Sequence, residues 1–185
     1  MVMSLFDPFP DLDTPRLHLR ARTRADAEAM FRVNADPEVN RFTGRPPPAS
    51  IEAVIEKIDS IHENLRNESA ISWKLADPVT GAYLGGAGLM HWDKTHRRAE
   101  VGYMLARERW GQGLVTEALG PILRFGFERM NLHSVEARIH PDNRASRRVV
   151  EKLGFVQEGY LRESYLNTAS GVFEDTVVYS RLVGG

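Results

Sequence analysis

Glu100-Val101-Gly102-Tyr103-Met104-Leu105-Ala106-Arg107-Glu108-Arg109-Trp110-Gly111-Gln112-Gly113-Leu114-Val115-Thr116-Glu117-Ala118 decides the fold. It reads as the end of a strand, a glycine-bearing turn and the first turn of a helix. Apolar residues then recur at helical spacing through Ala118, Leu119, Ile122, Leu123 and Phe127, carrying the helix to about Met130. Pro121 falls inside that run and removes a helical hydrogen bond, so a kink is expected. A helix N-terminus offers unpaired N–H groups and about half a positive charge, which favours an anion. Glycines let the backbone approach a phosphate with no Cβ in the way. The same residues also suit a plain strand-to-helix turn. Two other phosphate signatures fail. No lysine follows the glycines, as a P-loop requires. Thr116 stands where a dinucleotide fingerprint wants a small residue, and Glu136, at about the distance for its acid, lies inside a strand.

Upstream, Arg16 to Arg20 alternates polar and apolar residues, as a half-buried strand does. Thr23 caps a helix from Arg24 to Ala35, which Asp36-Pro37 ends. A loop with three successive prolines, Pro46 to Pro48, leads to Ser50, the cap of a second helix to about Arg66. Strands follow at about 70–76, 83–91 and 99–105, the first two joined by the turn Asp77 to Gly81 as an antiparallel hairpin. Downstream come a strand at Val135 to Ile139, a helix at Asn143 to Leu153 with Gly154 just past its end, and strands from Phe155 and from Val172 to Leu182. The order describes an α+β fold, a mixed sheet with helices on its faces and one parallel crossover between Ala99 and Ile139. No linker or repeat divides the 185 residues, so a single domain is expected.

Composition narrows the function. With 24 basic and 25 acidic residues the net charge is −1, which argues against a general nucleic-acid binder or a polybasic membrane-surface protein. The absence of cysteine removes disulfides and thiolate chemistry. No stretch approaches the roughly 20 apolar residues of a membrane span. Met1 to Pro10 has no secretory-signal pattern, so a cytoplasmic protein is expected. The six histidines show no metal-ligand spacing, and no metal is expected. Trp73, Trp92 and Trp110 read as packing anchors.

The stretch from Glu100 to Ala118 resembles the acyl-CoA motif of the GNAT superfamily of N-acyltransferases. Asn143-Arg144-Ala145-Ser146-Arg147-Arg148-Val149-Val150-Glu151-Lys152-Leu153-Gly154-Phe155 resembles the family's second motif. Thr14-Pro15-Arg16-Leu17-His18-Leu19-Arg20 and Glu158-Gly159-Tyr160-Leu161-Arg162-Glu163 are similar to the RimJ/RimL-like branch, whose best-known members acetylate N-terminal amines of ribosomal proteins. The likeness runs from about Thr14 to Leu182. It implies a mostly antiparallel mixed sheet of about seven strands with one splayed parallel pair, flanked by about four helices.

The resemblance also implies acetyl-CoA as co-substrate, an amine acceptor and a homodimer. Backbone groups of Tyr103, Met104 and Leu105 would pair with pantetheine. The N–H groups of Gly111, Gln112, Gly113, Leu114, Val115 and Thr116 would hold the pyrophosphate. The side chain of Asn143 would bond to pantetheine or cap its helix. Glu100 is the first candidate for the general base, with an exposed carboxylate paired to Arg97 or Arg98 as the alternative. Glu163 is the second candidate, with a surface salt bridge as its alternative. Many members place a tyrosine where Val150 stands, so Ser146 becomes the candidate donor to the leaving sulfur, or else serves local backbone. Arg144, Arg147 and Arg148 form a solvated face or meet the 3′-phosphate of CoA. The acceptor pocket falls to about Arg24 to Arg66, where a protein N-terminus, a small amine and an antibiotic all remain open. A GNAT domain that binds acyl-CoA without transferring it, and a dinucleotide-dependent oxidoreductase, stand as other classes.

Overall fold

The computed structural model describes residues 4–185. Residues 1–3, the start of the stretch read above for a signal segment, lie outside the described residues. Eight strands form one sheet, β1 (Leu12–Asp13), β2 (His18–Arg20), β3 (Ile71–Ala76), β4 (Tyr83–Asp93), β5 (Arg98–Leu105), β6 (Ser134–Ile139), β7 (Val156–Asn167) and β8 (Val172–Leu182). Their spatial order is β1-β2-β3-β4-β5-β6-β8-β7. Every neighbouring pair is antiparallel except β5 and β6. The helices are α1 (Ala27–Ala35), α2 (Pro37–Asn40), α3 (Ile51–Arg66), α4 (Leu114–Glu128) and α5 (Arg144–Lys152).

Two elements go beyond the sequence expectation. β1 and α2 span two and four residues, too short to show a period. Asp36-Pro37 does end α1, and it also starts α2: the Asp36 carboxylate accepts the Glu38 N–H, and Pro37 occupies the first turn, where its missing donor costs nothing. Ser50 caps α3 through the Ala53 N–H, as expected. Pro121 does not interrupt α4, which runs from Leu114 to Glu128.

The sheet separates two apolar clusters. On one side α4 presses Leu119, Ile122 and Leu123 against Trp73, Leu89, Val101 and Val135, and Val150 of α5 joins them. On the other, α1 and α3 cover Tyr83 with Met30, Val54 and Ile58. Trp73 is fully buried, and its indole N–H donates to the Pro10 carbonyl at 2.6 Å, so its polar edge is satisfied.

The decisive feature lies between β5 and β6. They pair through Arg98–Ser134, Ala99–Val135 and Glu100–Glu136, and no further. β5 continues to Leu105 on β4, and β6 continues to Ile139 on β8. Each strand therefore keeps its outer partner while the inner edges part, leaving a V-shaped gap that opens above Glu100. The expected fold, with its single splayed parallel pair, is present.

Ile122 sits on the helix that backs this gap and is fully buried. Ile122→Ala is expected to destabilise the protein by about 2–5 kcal/mol, read as a lowered denaturation midpoint at unchanged slope in urea.

Candidate active site

The gap widens into a cleft of about 580 Å³, within the roughly 300–1,000 Å³ common for small-molecule sites. Its walls come from β5 (Glu100 to Leu105), the end of β6 (Ala137 to Ile139), the glycine turn and first turn of α4, and α5. Glu38, Val39, Arg41, Phe42 and Thr43 close it from the side of α2.

At the phosphate end, Gly111 and Gly113 adopt φ of 74° and 75°, the left-handed region that favours glycine. Gly113 is the N-cap of α4 and carries no side-chain cap. The turn therefore ends at a helix start whose first N–H groups are free for an anion. Val115 and Thr116 are half-buried on that first turn and line the cleft.

A clamp from the N-terminal segment fixes this turn. The Glu117 carboxylate accepts from the Thr14 hydroxyl at 2.7 Å, the Arg16 N–H at 3.0 Å and the Arg16 Nε at 2.7 Å. Arg16 Nη2 also pairs with it at 2.6 Å, while Nη1 donates to the Gln112 carbonyl at 3.0 Å. Desolvation works against the Glu117 charge, but the bonds from Thr14 and Arg16 outweigh it and hold the carboxyl below the usual range. At the other side of the turn, the Trp110 indole N–H donates to the Leu105 carbonyl at 2.8 Å. That carbonyl is thus already engaged. Met104 is engaged as well: opposite Gly86, and two residues from the Ala106 N–H that donates to Leu84, it falls on the positions whose N–H and C=O point to β4, which leaves the Tyr103 groups and the Leu105 N–H for the gap.

At the vertex, Glu100 occupies the last paired position of β5. Its carboxylate is one quarter exposed and meets neither Arg97 nor Arg98. Arg98 pairs instead with Asp93 and Glu136, both at 3.8 Å, and Arg97 bonds to Asn131. The Glu100 partner is His91, whose Nδ1 lies 3.2 Å from Oε2. His91 reaches it from the irregular end of β4, where the β4–β5 register shifts between Met90 and Asp93.

Across the gap, the Tyr103 hydroxyl donates to the Ser146 carbonyl at 3.2 Å and ties β5 to α5. Burial pushes the Tyr103 phenol up to about 12, so it stays protonated. The Asn143 side-chain oxygen accepts the Ser146 N–H at 3.1 Å, which makes Asn143 the helix cap, and the residue also lines the cleft. Ser146 and Arg148 line the cleft, whereas Arg147 is pinned to Tyr179 and to the Pro141 carbonyl. Val150 is fully buried in the core. Glu163 lies away from these groups: it is exposed on β7, its N–H donating to Asp175. Gln112 contributes backbone to the turn and does not line the cleft.

The sequence matches the acetyltransferase (GNAT) domain over residues 16–156. The chain belongs to the GNAT acetyltransferase family. Among curated relatives, an uncharacterized N-acetyltransferase, YoaA, of Bacillus subtilis (strain 168) is 36% identical over 173 residues, covering 93% of this chain and 96% of its own. A spermidine N(1)-acetyltransferase of Vibrio cholerae is 24% identical over 161 residues, covering 86% and 89%. Among solved structures, a GNAT-family acetyltransferase from Bacillus anthracis superposes with a TM-score of 0.81 at 21% identity, covering 94% of this chain and 98% of that one. The microcin C7 self-immunity acetyltransferase MccE, solved with acetyl-CoA and AMP, gives 0.80 at 21% identity, covering 92% and 94%. At these identities the two structures speak for the fold.

This GNAT domain holds two arrangements that sequence reading did not reach, the Arg16–Glu117 clamp and the His91–Glu100 pair. Each partner of the clamp stands inside a quoted motif. Their separation of 101 positions hides the contact. Among the described residues no group of three or more potential metal ligands gathers, and no helix is long and apolar enough to cross a membrane. Arg16→Ala is expected to raise the Kd for acetyl-CoA about three- to tenfold by freeing the turn, measured by calorimetry. Glu117→Gln is expected to act in the same direction.

Proposed function

We propose that this GNAT domain is an N-acetyltransferase that moves an acetyl group from acetyl-CoA to a primary amine. The reading rests above all on the parting of β5 and β6 beyond Glu100, beside a glycine turn that starts a helix. The free edge of β5 suits the amides of an extended pantetheine, which would pair with the Tyr103 N–H and C=O and the Leu105 N–H like an added strand. The N–H groups between Gly111 and Thr116 suit a pyrophosphate. Arg109, Arg148 and Lys152 stand on the same cleft and suit the remaining phosphate.

Chemistry then falls at the vertex. An ammonium has no lone pair, so the acceptor must lose a proton before its nitrogen attacks the thioester carbonyl. Glu100 takes that proton, directly or through one water, and His91, three quarters exposed, connects the carboxylate to solvent. The tetrahedral adduct collapses with loss of the CoA thiolate, and the second proton that the nitrogen sheds on becoming an amide leaves with the sulfur as CoA thiol. Ser146 supplies a hydrogen bond to that sulfur in place of the tyrosine absent at Val150. The Tyr103 phenol, pushed up to about 12, is a poor proton source and serves to hold the gap open. Glu163, exposed and outside the cleft, takes no part in this scheme.

The burial of Val150 favours one competing reading, a domain that binds acyl-CoA and regulates without transfer, because no tyrosine acid stands in α5. A thiol-release assay with acetyl-CoA and a panel of amines and N-terminal peptides separates the two. Turnover on any amine supports transfer, and tight CoA binding with no turnover supports the sensor. For the enzyme, Glu100→Gln is expected to lower kcat about 10²–10⁴-fold with KM for acetyl-CoA little changed. Ser146→Ala is expected to lower kcat more modestly at the same CoA affinity, and an unchanged kcat removes Ser146 from the mechanism.

A further inference from the structure

Arg22 is 7% exposed, on the side of the sheet covered by α1 and α3. Among the described residues it forms no ion pair. A guanidinium buried without a carboxylate is costly, so its surroundings carry information. Nη1 donates to the Ser72 hydroxyl at 2.7 Å, and Nε is buried with no hydrogen-bond partner. The group lies against Gly86, where an added Cβ would stand 3.0 Å from the guanidinium carbon. The glycine is what leaves room for the charge. Gly86 is the cross-strand partner of Met104, and Gly88 of Gly102. Gly102 and Met104 line the cleft. Cross-strand partners share a face, so Arg22 stands one strand in from the cleft floor, on the face opposite α4.

Two further cations stand on the neighbouring elements: Arg45, whose N–H donates at 3.4 Å to the hydroxyl of the cleft-lining Thr43, and Lys57 on α3, the helix whose His62 Nε2 lies 2.8 Å from the Arg22 carbonyl oxygen. Desolvation lowers the pKa of the Lys57 ammonium, and the charges of Arg45 and Arg22 lower it further. Both Lys57 and Arg45 are exposed, so the cluster opens to solvent. Two carboxylates on the same side are already used: Asp26 holds Lys74 at 2.8 Å and Asp59 holds Arg24 at 2.8 Å. Among the described residues Arg22, Arg45 and Lys57 form no ion pair, and they stand behind a cleft that Glu38 and Glu100 line.

We infer that the acceptor carries an anionic group, a carboxylate or a phosphate, which Arg22, Arg45 and Lys57 hold while its amine faces Glu100. The inference rests on the transferase reading and narrows its substrate class. An amine with an acid at its far end matches both signs of charge. A polyamine would bring more positive charge to a cluster that is already cationic.

The test measures binding to the CoA-saturated protein, so that the phosphate turn is filled, by calorimetry on matched amines. Aminohexanoate is compared with aminohexanamide, aminohexyl phosphate with aminohexanol, and spermidine is added as a polycation. The anionic member of each pair is expected to bind about tenfold tighter, the size of one well-placed charge pair. The tighter of the two acids separates carboxylate from phosphate. Because Arg22 is buried and its loss disturbs folding, Lys57→Gln and Arg45→Gln are the variants of choice. Each is expected to narrow the advantage at least about threefold. Equal affinity within both pairs, tighter binding of spermidine, or an advantage that survives the double variant overturns the inference. Thiol release on the same amines is read separately. Acetylation of cationic amines alone sinks the anion site and keeps the transferase. Anionic amines that bind while no amine is acetylated sink the transferase and keep the anion site.

Discussion

Backbone N–H and C=O groups inside a sheet need partners, and β5 and β6 stop supplying them to each other after Glu100 and Glu136. Both strands run on in extended form, held by β4 and β8. Their facing edges are left as a pair of open ladders in the middle of an eight-stranded sheet. Such an edge invites any extended chain that brings its own amides. The cleft, the placement of Glu100 at its vertex and the reach of Tyr103 across it all follow from that one interruption.

The interruption is supported on both flanks. α4 packs its buried stripe under β5 and delivers a helix N-terminus to the wide end of the gap. The clamp from Thr14 and Arg16 to Glu117 then ties β1–β2 to the same turn, so a segment distant in sequence holds the anion site in shape. On the other wall, Asn143 caps α5 while Tyr103 bonds to the first turn of that helix. The site is thus built on regular elements, which keep a constellation in place better than loops do.

Much of this was legible in the sequence because the elements are long or punctuated. The stripes of α3 and α4, the Ser50 cap, the glycine turn and Gly154 after α5 all announce themselves locally. The parallel crossover followed from element order, and the splay from the resemblance alone. What escaped was short or long-range. β1 and α2 span only about one period each, too few residues for a repeat to show. His91 pairs with Glu100 only because β4 and β5 run antiparallel and shift register between Met90 and Asp93. Arg22 reads as one polar residue beside a strand. Its burial depends on Gly86, which sits 64 positions later.

A crystal structure of the protein with CoA tests the central claim most directly. The account predicts pantetheine amides bonded to the main chain of Tyr103 and the Leu105 N–H, with the diphosphate on the N–H groups between Gly111 and Thr116. CoA bound elsewhere, or β5 and β6 paired on past Glu100 with the gap shut, would contradict it.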